Sequence, residues 1–305
     1  MAKQALLIYN PAARNAPPIE RLRSAAGGVA GWNVAFETTA TAGHATELAR
    51  SAAERGLDAV VACGGDGTVN EAVNGLAGST TALAVIRGGT ANVWAKEARL
   101  PRKPEAALRL LAEGERRTID LARAGERYFL LMAGVGFDAA IVREVSGGMK
   151  KRLGAAAYLL HGLTRARSYR PANAELQAGD ESLSGELFWL LLANTRSYAG
   201  VVNIAHEAQV DDGLLDVWLL RRGGLLRLLS FFPSILLRKH QRRKHVVCRL
   251  TASLAIDTPG LPVHVDGESI GETPMRFEVA PAALQVLVPE GLRSPLFRDP
   301  ESGRD

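Results

Sequence analysis

The sequence predicts an α/β domain followed by a β domain: a doubly wound, mostly parallel sheet and then an antiparallel β-sandwich. Two observations indicate this order. Over the first 120 residues, short apolar runs alternate with segments of helical spacing, and from Arg117 onward the segments become short strands at close intervals. The length of 305 residues and the hydrophobic content of 47% are sufficient for two domains, each with its own core.

The N-terminal elements follow from two periodicities. A continuous apolar run is typical of a parallel strand that is buried on both faces, whereas apolar residues three or four positions apart predict a helix. The predicted strands are residues 5–9, 33–38, 59–63 and 82–86. The predicted helices are residues 19–26, 44–54, 69–76 and 104–113.

The C-terminal half is predicted to contain strands at residues 118–122, 128–133, 174–177, 188–193, 215–220, 249–256 and 263–265. Two helical stretches interrupt them, at about 138–167 and 225–240. We place the domain boundary near residue 120, which gives an α/β domain at 1–120 and a sandwich at 121–283. The tail, 284–305, is expected to return to the first domain, because "ALQVLVP" has the pattern of a further strand.

Composition restricts the partners of the chain. The formal net charge of +5 and the pI near 9.4 favour an anionic partner, such as a nucleotide, lipid headgroups or nucleic acid. Aromatic residues make up only 6%, which does not suggest a stacking surface, so no nucleic-acid partner is expected. The two cysteines, Cys63 and Cys248, lie far apart without metal-ligand spacing, which favours free thiols in a reducing, cytoplasmic compartment.

No stretch of the sequence predicts a transmembrane helix or a signal peptide. The longest apolar candidate, 225–237, contains Arg227 and Pro233 and is shorter than the ~20 apolar residues that a span requires. The first apolar run ends at Asn10-Pro11, which is too early for a signal peptide.

The turn "GGDGT", residues 64–68, carries the strongest local indication of function. It joins a predicted buried strand to a predicted helix, and open α/β sheets bind ligands at this end of their strands. Glycines let the backbone approach a ligand closely and adopt positive φ, and the helix start, with Thr68 as its N-cap, suits a phosphate anion. A carboxylate that faces phosphates requires a cation, so Asp66 is a candidate Mg²⁺ ligand, directly or through water. The alternative is a tight turn in which Asp66 bonds its own backbone.

Polar or glycine residues also follow the other predicted N-terminal strands. They form "NPAAR" at 10–14, "TTATAGHA" at 38–45 and "RGGTANVWA" at 87–95. Because the carboxyl ends of parallel strands share one edge of the sheet, these turns together with "GGDGT" predict a nucleotide-binding crevice.

Motifs along the whole chain resemble the diacylglycerol kinase catalytic-domain family, the soluble lipid kinases that include bacterial diacylglycerol kinase-like proteins and the sphingosine and ceramide kinases. The motifs that carry this resemblance are "YNPAAR" at 9–14, "GGDGTVNEAVNGL" at 64–76, "GGTANVWA" at 88–95, "AGVGFDA" at 133–139, "DDGLLDV" at 211–217 and "VDGES" at 265–269. Several motifs in family order are far more specific than one glycine turn.

The resemblance implies ATP-dependent transfer of the γ-phosphoryl group to a lipid hydroxyl such as that of diacylglycerol, with ATP in the first domain and the acceptor in the interdomain cleft. It implies that ATP contacts Asn10, Pro11, Ala12, Ala13, Arg14, Thr39, Gly64, Gly65, Asp66, Gly67, Thr68, Val69, Asn70 and Thr90. It further implies that Glu268 is the catalytic base, with Asp66 as a second catalytic residue.

The same resemblance implies a structural Mg²⁺ in the "DDGLLD" loop. Its ligands would be the carboxylate of Asp212 and the backbone carbonyls of Gln209 and Leu214, which are the hard oxygen ligands that Mg²⁺ prefers. The alternative for residues 211–216 is a solvated hairpin turn, since Asp-Gly is also a strong hairpin signal.

Residues 194–212 depart from the family pattern. Where the family shows a glycine cluster and a later proline, this chain has "SYAGVVNIAHEAQV", with Gly200 left of the cluster and His206 at the proline position. We expect this segment to neighbour the acceptor and His206 to be a surface loop residue.

Two other functions are alternatives to a lipid kinase. A NAD kinase-like phosphotransferase shares the G-G-D-G turn, but "TVNEAVNGL" and "VDGE" resemble the lipid kinases more closely. A non-catalytic, nucleotide-binding membrane-regulatory protein would not need to retain Asp66, Asp212 and Glu268 together.

Residues 225–244, "LLRLLSFFPSILLRKHQRRK", place an apolar run before a basic cluster. This pattern predicts either contact with an anionic membrane surface or a domain helix with a solvated basic end. The first reading gives a cytoplasmic enzyme that associates peripherally with membranes and takes its substrate there. Assembly as a homodimer is an alternative to a monomer.

Overall fold

A computed structural model describes residues 2–145, 165, 167–198, 200–224, 227, 230, 234 and 245–298. The predicted helix at 225–240, the basic cluster that follows it and most of the predicted helix at 138–167 lie outside these described residues. Within the described residues, no helix is long and apolar enough to cross a membrane.

Strands and helices alternate through the N-terminal part of the chain, as predicted. The elements are β1 Lys3–Tyr9, α1 Ile19–Gly27, β2 Trp32–Thr38, α2 His44–Glu54, β3 Ala59–Gly64, α3 Asp66–Leu76, β4 Ala82–Arg87, α4 Val93–Glu97 and α5 Pro104–Glu113. The first four strands are parallel and lie in the order β2-β1-β3-β4. Helices α2 and α3 pack together, and α1 packs with α5. The apolar run of β3 is fully buried, which explains its valine-rich sequence.

In the described parts of the chain, fifteen further elements follow, most of them antiparallel strands. They are β5 Glu115–Ala124, β6 Arg127–Phe129, β7 Met132–Gly136, α6 Phe137–Val145, β8 Ala172–Ala178, β9 Glu181–Leu187, β10 Trp189–Ala193, β11 Ser197–Tyr198, β12 Val202–Asn203, β13 Leu215–Leu220, β14 Val246–Thr251, β15 Ser253–Ile256, β16 Pro262–Val265, β17 Glu268–Glu272 and β18 Met275–Val288. The predicted fold class, an α/β domain with a C-terminal sandwich, is therefore confirmed.

One layer of the sandwich is continuous with the N-terminal sheet. A ten-stranded sheet runs in the order β2-β1-β3-β4-β18-β15-β8-β9, with β5 and β6 joined to it through β18. Strand β18 pairs in parallel with β4 at Val286 and Leu83, and antiparallel with β5 and β15. The other layer is a six-stranded antiparallel sheet in the order β14-β13-β10-β7-β16-β17.

Two predicted strands are each divided in the structure. The predicted strand 128–133 forms β6 and β7, because the backbone N–H groups between them donate to the carboxylate of Asp266 instead of a neighbouring strand. The predicted strand 249–256 forms β14 and β15, which belong to different sheets. Continuous apolar patterning does not reveal a strand that crosses from one sheet to the other.

Asp138 of α6 and His264 of β16 form a buried acid–histidine pair between α6 and the outer face of the six-stranded sheet. Asp138 Oδ2 lies 2.9 Å from His264 Nε2, and both side chains are almost completely buried. Gly134 lies beneath them, and a Cβ on it would stand 2.3 Å from both atoms. Glycine is therefore required here by close packing.

Candidate nucleotide site and interdomain cleft

The glycine turn after β3 packs directly on the glycine turn after β4. A Cβ on Gly64 would stand 2.4 Å from Thr68 Oγ1, and one on Gly89 would stand 2.5 Å from Gly65 Cα. Neither Gly64 nor Gly65 has a positive φ. The expected positive φ is therefore wrong for these two residues. Gly64 has no room for a side chain because of Thr68, and Gly89 has none because the two backbone turns meet.

Helix α3 starts earlier than the sequence predicts. Gly65 is its N-cap and Asp66 its first residue, so the expectation that Thr68 caps the helix is wrong. Thr68 is buried in the first turn, where its hydroxyl accepts a hydrogen bond of 2.8 Å from Asn10 Nδ2. Because the first N–H groups of a helix have no partner within it, the backbone of this turn presents donors at the sheet edge.

The loops after β1, β2 and β4 meet at the same edge. Asn10 donates its backbone N–H to Cys63, and its side-chain oxygen accepts from the N–H of Ala12. Thr39 donates to the carbonyl of Tyr9. Asn15, which the sequence reasoning missed, bonds the carbonyls of both Gly88 and Gly89.

The predicted nucleotide residues share this edge. Pro11, Ala12, Arg14 and Thr90 are exposed; Asn10, Ala13, Thr39, Gly65, Asp66 and Gly67 are partly buried; Gly64, Thr68, Val69 and Asn70 are buried. The exposed members leave space for a ligand above the two glycine turns.

Asp66 joins the two turns. Its Oδ1 accepts a 2.6 Å hydrogen bond from the N–H of Val93, the first residue of α4. Burial raises the pKa of Asp66, while hydrogen bonds from the backbone and the charge of Lys96 act in the opposite direction. The carboxylate therefore holds α4 and its preceding "GGTAN" loop against the β3–α3 turn.

Glu268 lies beside the glycine turn, across the cleft between the two parts of the chain. A Cβ on Gly67 would stand 3.4 Å from Glu268 Oε1. The other carboxylate oxygen, Oε2, accepts a 2.9 Å hydrogen bond from Arg127 Nη2, and the same nitrogen donates to Asn70 Oδ1. The Glu268 side chain is 45% exposed, so one oxygen is held by Arg127 and the other is directed at the turn.

Asp266, two residues before Glu268, organises the cleft from a partly buried position. Its carboxylate accepts hydrogen bonds from the backbone N–H groups of Leu130, Leu131 and Met132 and from Asn70 Nδ2. Burial raises the pKa of Asp266, and these donors oppose that effect. The sequence reasoning missed both Arg127 and Asp266, although Asp266 lies within the quoted "VDGES" motif.

Helix α3 also fastens the two parts of the chain to each other. Asn74 Nδ2 donates to the carbonyl of Tyr128, and the N–H of Tyr128 donates to Asn74 Oδ1, both at 2.9 Å. Glu71 faces the other way and accepts from the N–H of Ala45 in the first turn of α2. Glu71 is thus a structural residue, whereas Asn70 and Asn74 hold the cleft.

Acidic side chains crowd around the "DDGLLD" loop. Asp120 accepts from the N–H groups of Gly213 and Ala282, and Asp212 accepts from the N–H of Leu214. Burial raises the pKa of Asp212, and the charges of Asp120 and Asp211 raise it further. A cation would relieve this repulsion, so the loop chemistry fits Mg²⁺.

The loop is not a hairpin turn, so that alternative is wrong. Strand β13, which follows it, pairs with β10 and β14. Within the described parts of the chain, no group of three or more His, Cys, Asp or Glu side chains is arranged to hold a metal ion. A cation at Asp212 would accordingly depend on backbone carbonyls, as the assignment of Gln209 and Leu214 requires.

The divergent segment 194–212 folds against α4. Glu97 accepts hydrogen bonds from the N–H groups of Arg196 and Ser197, and burial raises its pKa. A Cβ on Gly200 would stand 3.2 Å from Val93 Cγ2, so the β11–β12 hairpin lies on the "GGTAN" loop. His206 lies in a loop, as expected, but its side chain is largely buried, at 14% exposed.

Comparison with known proteins agrees with this architecture. Residues 4–124 match the diacylglycerol kinase catalytic domain, and residues 132–288 match the YegS C-terminal NAD kinase beta sandwich-like domain. A Pseudomonas putida protein named "probable lipid kinase YegS-like" is 36% identical over 306 residues, which cover 98% of each chain. A Bacillus subtilis diacylglycerol kinase is 29% identical, with 94% of this chain and 97% of that protein covered.

A solved structure shows the same fold. The crystal structure of a diacylglycerol kinase from Bacillus anthracis superposes with a TM-score of 0.78 at 22% identity, covering 94% of this chain and 98% of that chain. The two matched domains account for nearly all of the described chain, in the order that the sequence predicted. The chain therefore belongs to the diacylglycerol kinase catalytic-domain family of lipid kinases.

Proposed function

We propose that the protein is an ATP-dependent lipid kinase that phosphorylates a lipid hydroxyl such as that of diacylglycerol. The position of Glu268 carries this proposal. Its Oε1 lies next to Gly67, at the turn whose backbone donors suit phosphate, while Arg127 fixes its other oxygen. A half-exposed carboxylate at a phosphate-binding turn is placed to accept a proton from an acceptor hydroxyl.

The chemical step is a direct transfer. The acceptor oxygen forms a bond to the γ-phosphorus, the bond from that phosphorus to the β–γ bridging oxygen breaks, and ADP leaves. The hydroxyl proton passes to Glu268, whose basicity makes the neutral alcohol a better nucleophile. Arg127 positions the carboxylate, and Asn70 in turn accepts a hydrogen bond from Arg127.

The nucleotide is assigned to the sheet edge. Residues 10–14, 64–70, Thr39 and Thr90 bind ATP, with the N–H groups of the first turn of α3 directed at its phosphates. Asp66 acts at the metal–phosphate charge from its position between the glycine turns.

A divalent cation is assigned to the acidic loop. Asp212 and the carbonyls of Gln209 and Leu214 would hold a structural Mg²⁺, which offsets the charge of the surrounding carboxylates. Asp120 of β5 ties this loop to β18, since its carboxylate accepts hydrogen bonds from both Gly213 and Ala282.

The expected setting is the cytoplasmic face of a membrane. A lipid acceptor resides in a bilayer, and the net charge of +5 favours an anionic surface. The basic cluster within residues 225–244, which lies outside the described residues, would supply this contact. Whether the protein is a homodimer is tested by sedimentation velocity.

One assay tests the proposed function. The purified protein is incubated with radiolabelled ATP, Mg²⁺ and a panel of diacylglycerol, monoacylglycerol, sphingosine, ceramide, phosphatidylglycerol and NAD. We expect label in a lipid product. Transfer to NAD alone, or to no acceptor while ATP binds, would refute the proposal in favour of the NAD kinase-like or the non-catalytic alternative.

A further inference from the structure

A separate cavity lies on the α4 side of the glycine turns. Its volume is about 260 Å³, and it is enclosed by α4, the β11–β12 hairpin and the segment after β18. Glu268 lies instead beside the first turn of α3, which packs with α2. The cavity is therefore not the space in which Glu268 meets the nucleotide turn.

Cations outnumber acids in the wall of this cavity. Lys96, Arg99 and Arg196 line it together with one acid, Glu97. Lys96 and Arg99 are exposed, and neither forms an ion pair with another side chain among the described residues.

The single acid leaves this wall with an excess of positive charge. Both oxygens of Glu97 accept hydrogen bonds from backbone N–H groups, those of Arg196 and Ser197. Burial raises the pKa of Glu97, while these hydrogen bonds and the charge of Arg196 act in the opposite direction. The remaining lining includes Ser197 and Ser294, and the Ser294 hydroxyl donates to the carbonyl of Glu97. Exposed lysine and arginine side chains are the groups that bind phosphate here.

The hairpin that walls the cavity carries an exposed apolar residue. Val201, in the turn of the β11–β12 hairpin, is 73% exposed. Gly200, the residue before it, already packs against Ala91 and Val93, so the turn has no room to move inward and bury Val201. An apolar side chain that projects beside lysine and arginine side chains suits an interface where acyl chains meet charged headgroups.

We propose that this cavity binds the phosphate headgroup of an anionic phospholipid, with Val201 entering the acyl boundary of the membrane. A phosphate ester is the chemistry that the cations recognise, and free phosphate would offer that group too. The exposed Val201 favours the lipid, because only a lipid offers acyl chains for an apolar side chain of this hairpin to contact. The inference rests on the proposed function only in that a lipid kinase must reach a bilayer.

Cosedimentation with vesicles tests the docking site without ATP. Full-length protein is mixed with phosphatidylcholine vesicles that contain or lack phosphatidylglycerol. We expect Arg99→Gln to weaken binding to the anionic vesicles about fivefold and Lys96→Gln with Arg99→Gln to weaken it about 25-fold, since each charge near the surface contributes similarly. Val201→Ser should weaken binding to the same vesicles.

Arg55→Gln is the matched control, because Arg55 is an exposed arginine at the C-cap of α2. It should bind the vesicles as the wild type does. Wild-type binding by both Arg99→Gln and Val201→Ser would overturn the proposal, and so would an equal loss in Arg55→Gln. Melting curves establish that each variant is folded.

Two further arms separate the alternatives. The first arm measures binding of inorganic phosphate. If the wild type binds phosphate and Arg99→Gln does not, while Arg99→Gln still binds vesicles normally, the cavity is a site for a soluble anion and the lipid proposal is overturned. Kinase activity on a water-soluble short-chain acceptor should be unchanged in Arg99→Gln. If no acceptor is phosphorylated and the vesicle effect persists, the kinase assignment fails while the docking site stands.

Discussion

Replacing Glu268 with glutamine removes a basic carboxylate and keeps its shape. The new amide oxygen can still accept from Arg127 Nη2, which bonds the wild-type Oε2 at 2.9 Å. The side chain is 45% exposed, so the loss of this ion pair should cost stability by no more than about 1 kcal/mol. The predicted effect therefore falls on the chemical step.

The expected loss is large. General base catalysis contributes about 10²- to 10⁴-fold, which corresponds to about 3–5 kcal/mol of transition-state stabilisation. Initial rates at saturating acceptor and ATP should show kcat lowered by this factor in Glu268→Gln, with the Kd for ATP close to that of the wild type.

Glu272→Gln supplies the control. Glu272 lies in the same strand, is 49% exposed and pairs with Arg143, so the substitution removes a similar surface charge away from the glycine turn. Its kcat should be unchanged. A rate within a few fold of the wild type in Glu268→Gln, or an equal fall in Glu272→Gln, would refute the role of Glu268 as the base.

Other predictions test the glycine turn, the core and the buried thiol. Asp66→Asn keeps an oxygen for the N–H of Val93 but loses the charge, so melting should be unchanged while Mg²⁺-dependent transfer disappears; normal turnover would contradict this. Gly134→Ala places a methyl group 2.3 Å from both members of the buried acid–histidine pair and should destabilise the protein by about 1–3 kcal/mol, whereas Gly27→Ala, with open space around it, should not; equal urea midpoints would contradict this. Burial raises the pKa of Cys63 from 9.0 to about 12, so a thiol reagent should modify it only as fast as the protein unfolds, and native stability should decline as the pH rises above 9.0; immediate labelling would contradict this.

The N-terminal fold was predictable because its signals are local. Apolar runs and helical spacing located the first four strands and their helices to within a few residues. The start of α3 was misplaced because no side chain caps it; Gly65 is the cap, and the turn is set by its contact with Gly89. Contacts between two distant turns leave no periodic pattern in the sequence.

The cleft was predictable only where a motif marked it. Glu268 was identified through the family motif, but Arg127 begins the short strand β6, in a stretch of sequence with no distinguishing pattern. Its role depends on the tertiary pairing of β6 with Asn74 of α3. The boundary between β6 and β7 likewise depends on Asp266, which is more than a hundred residues away in sequence.

The sheet shared by both halves of the chain has a consequence for cooperativity. Strand β18 spans Met275–Val288 and holds hydrogen bonds to β4, β5 and β15 at once, so neither half can detach without breaking its pairing. The amide protons of β18 should therefore exchange with solvent only through global unfolding, at the slowest rates in the molecule. Opening and closing around substrates would then fall to the loops and the β11–β12 hairpin, and not to a hinge between rigid lobes.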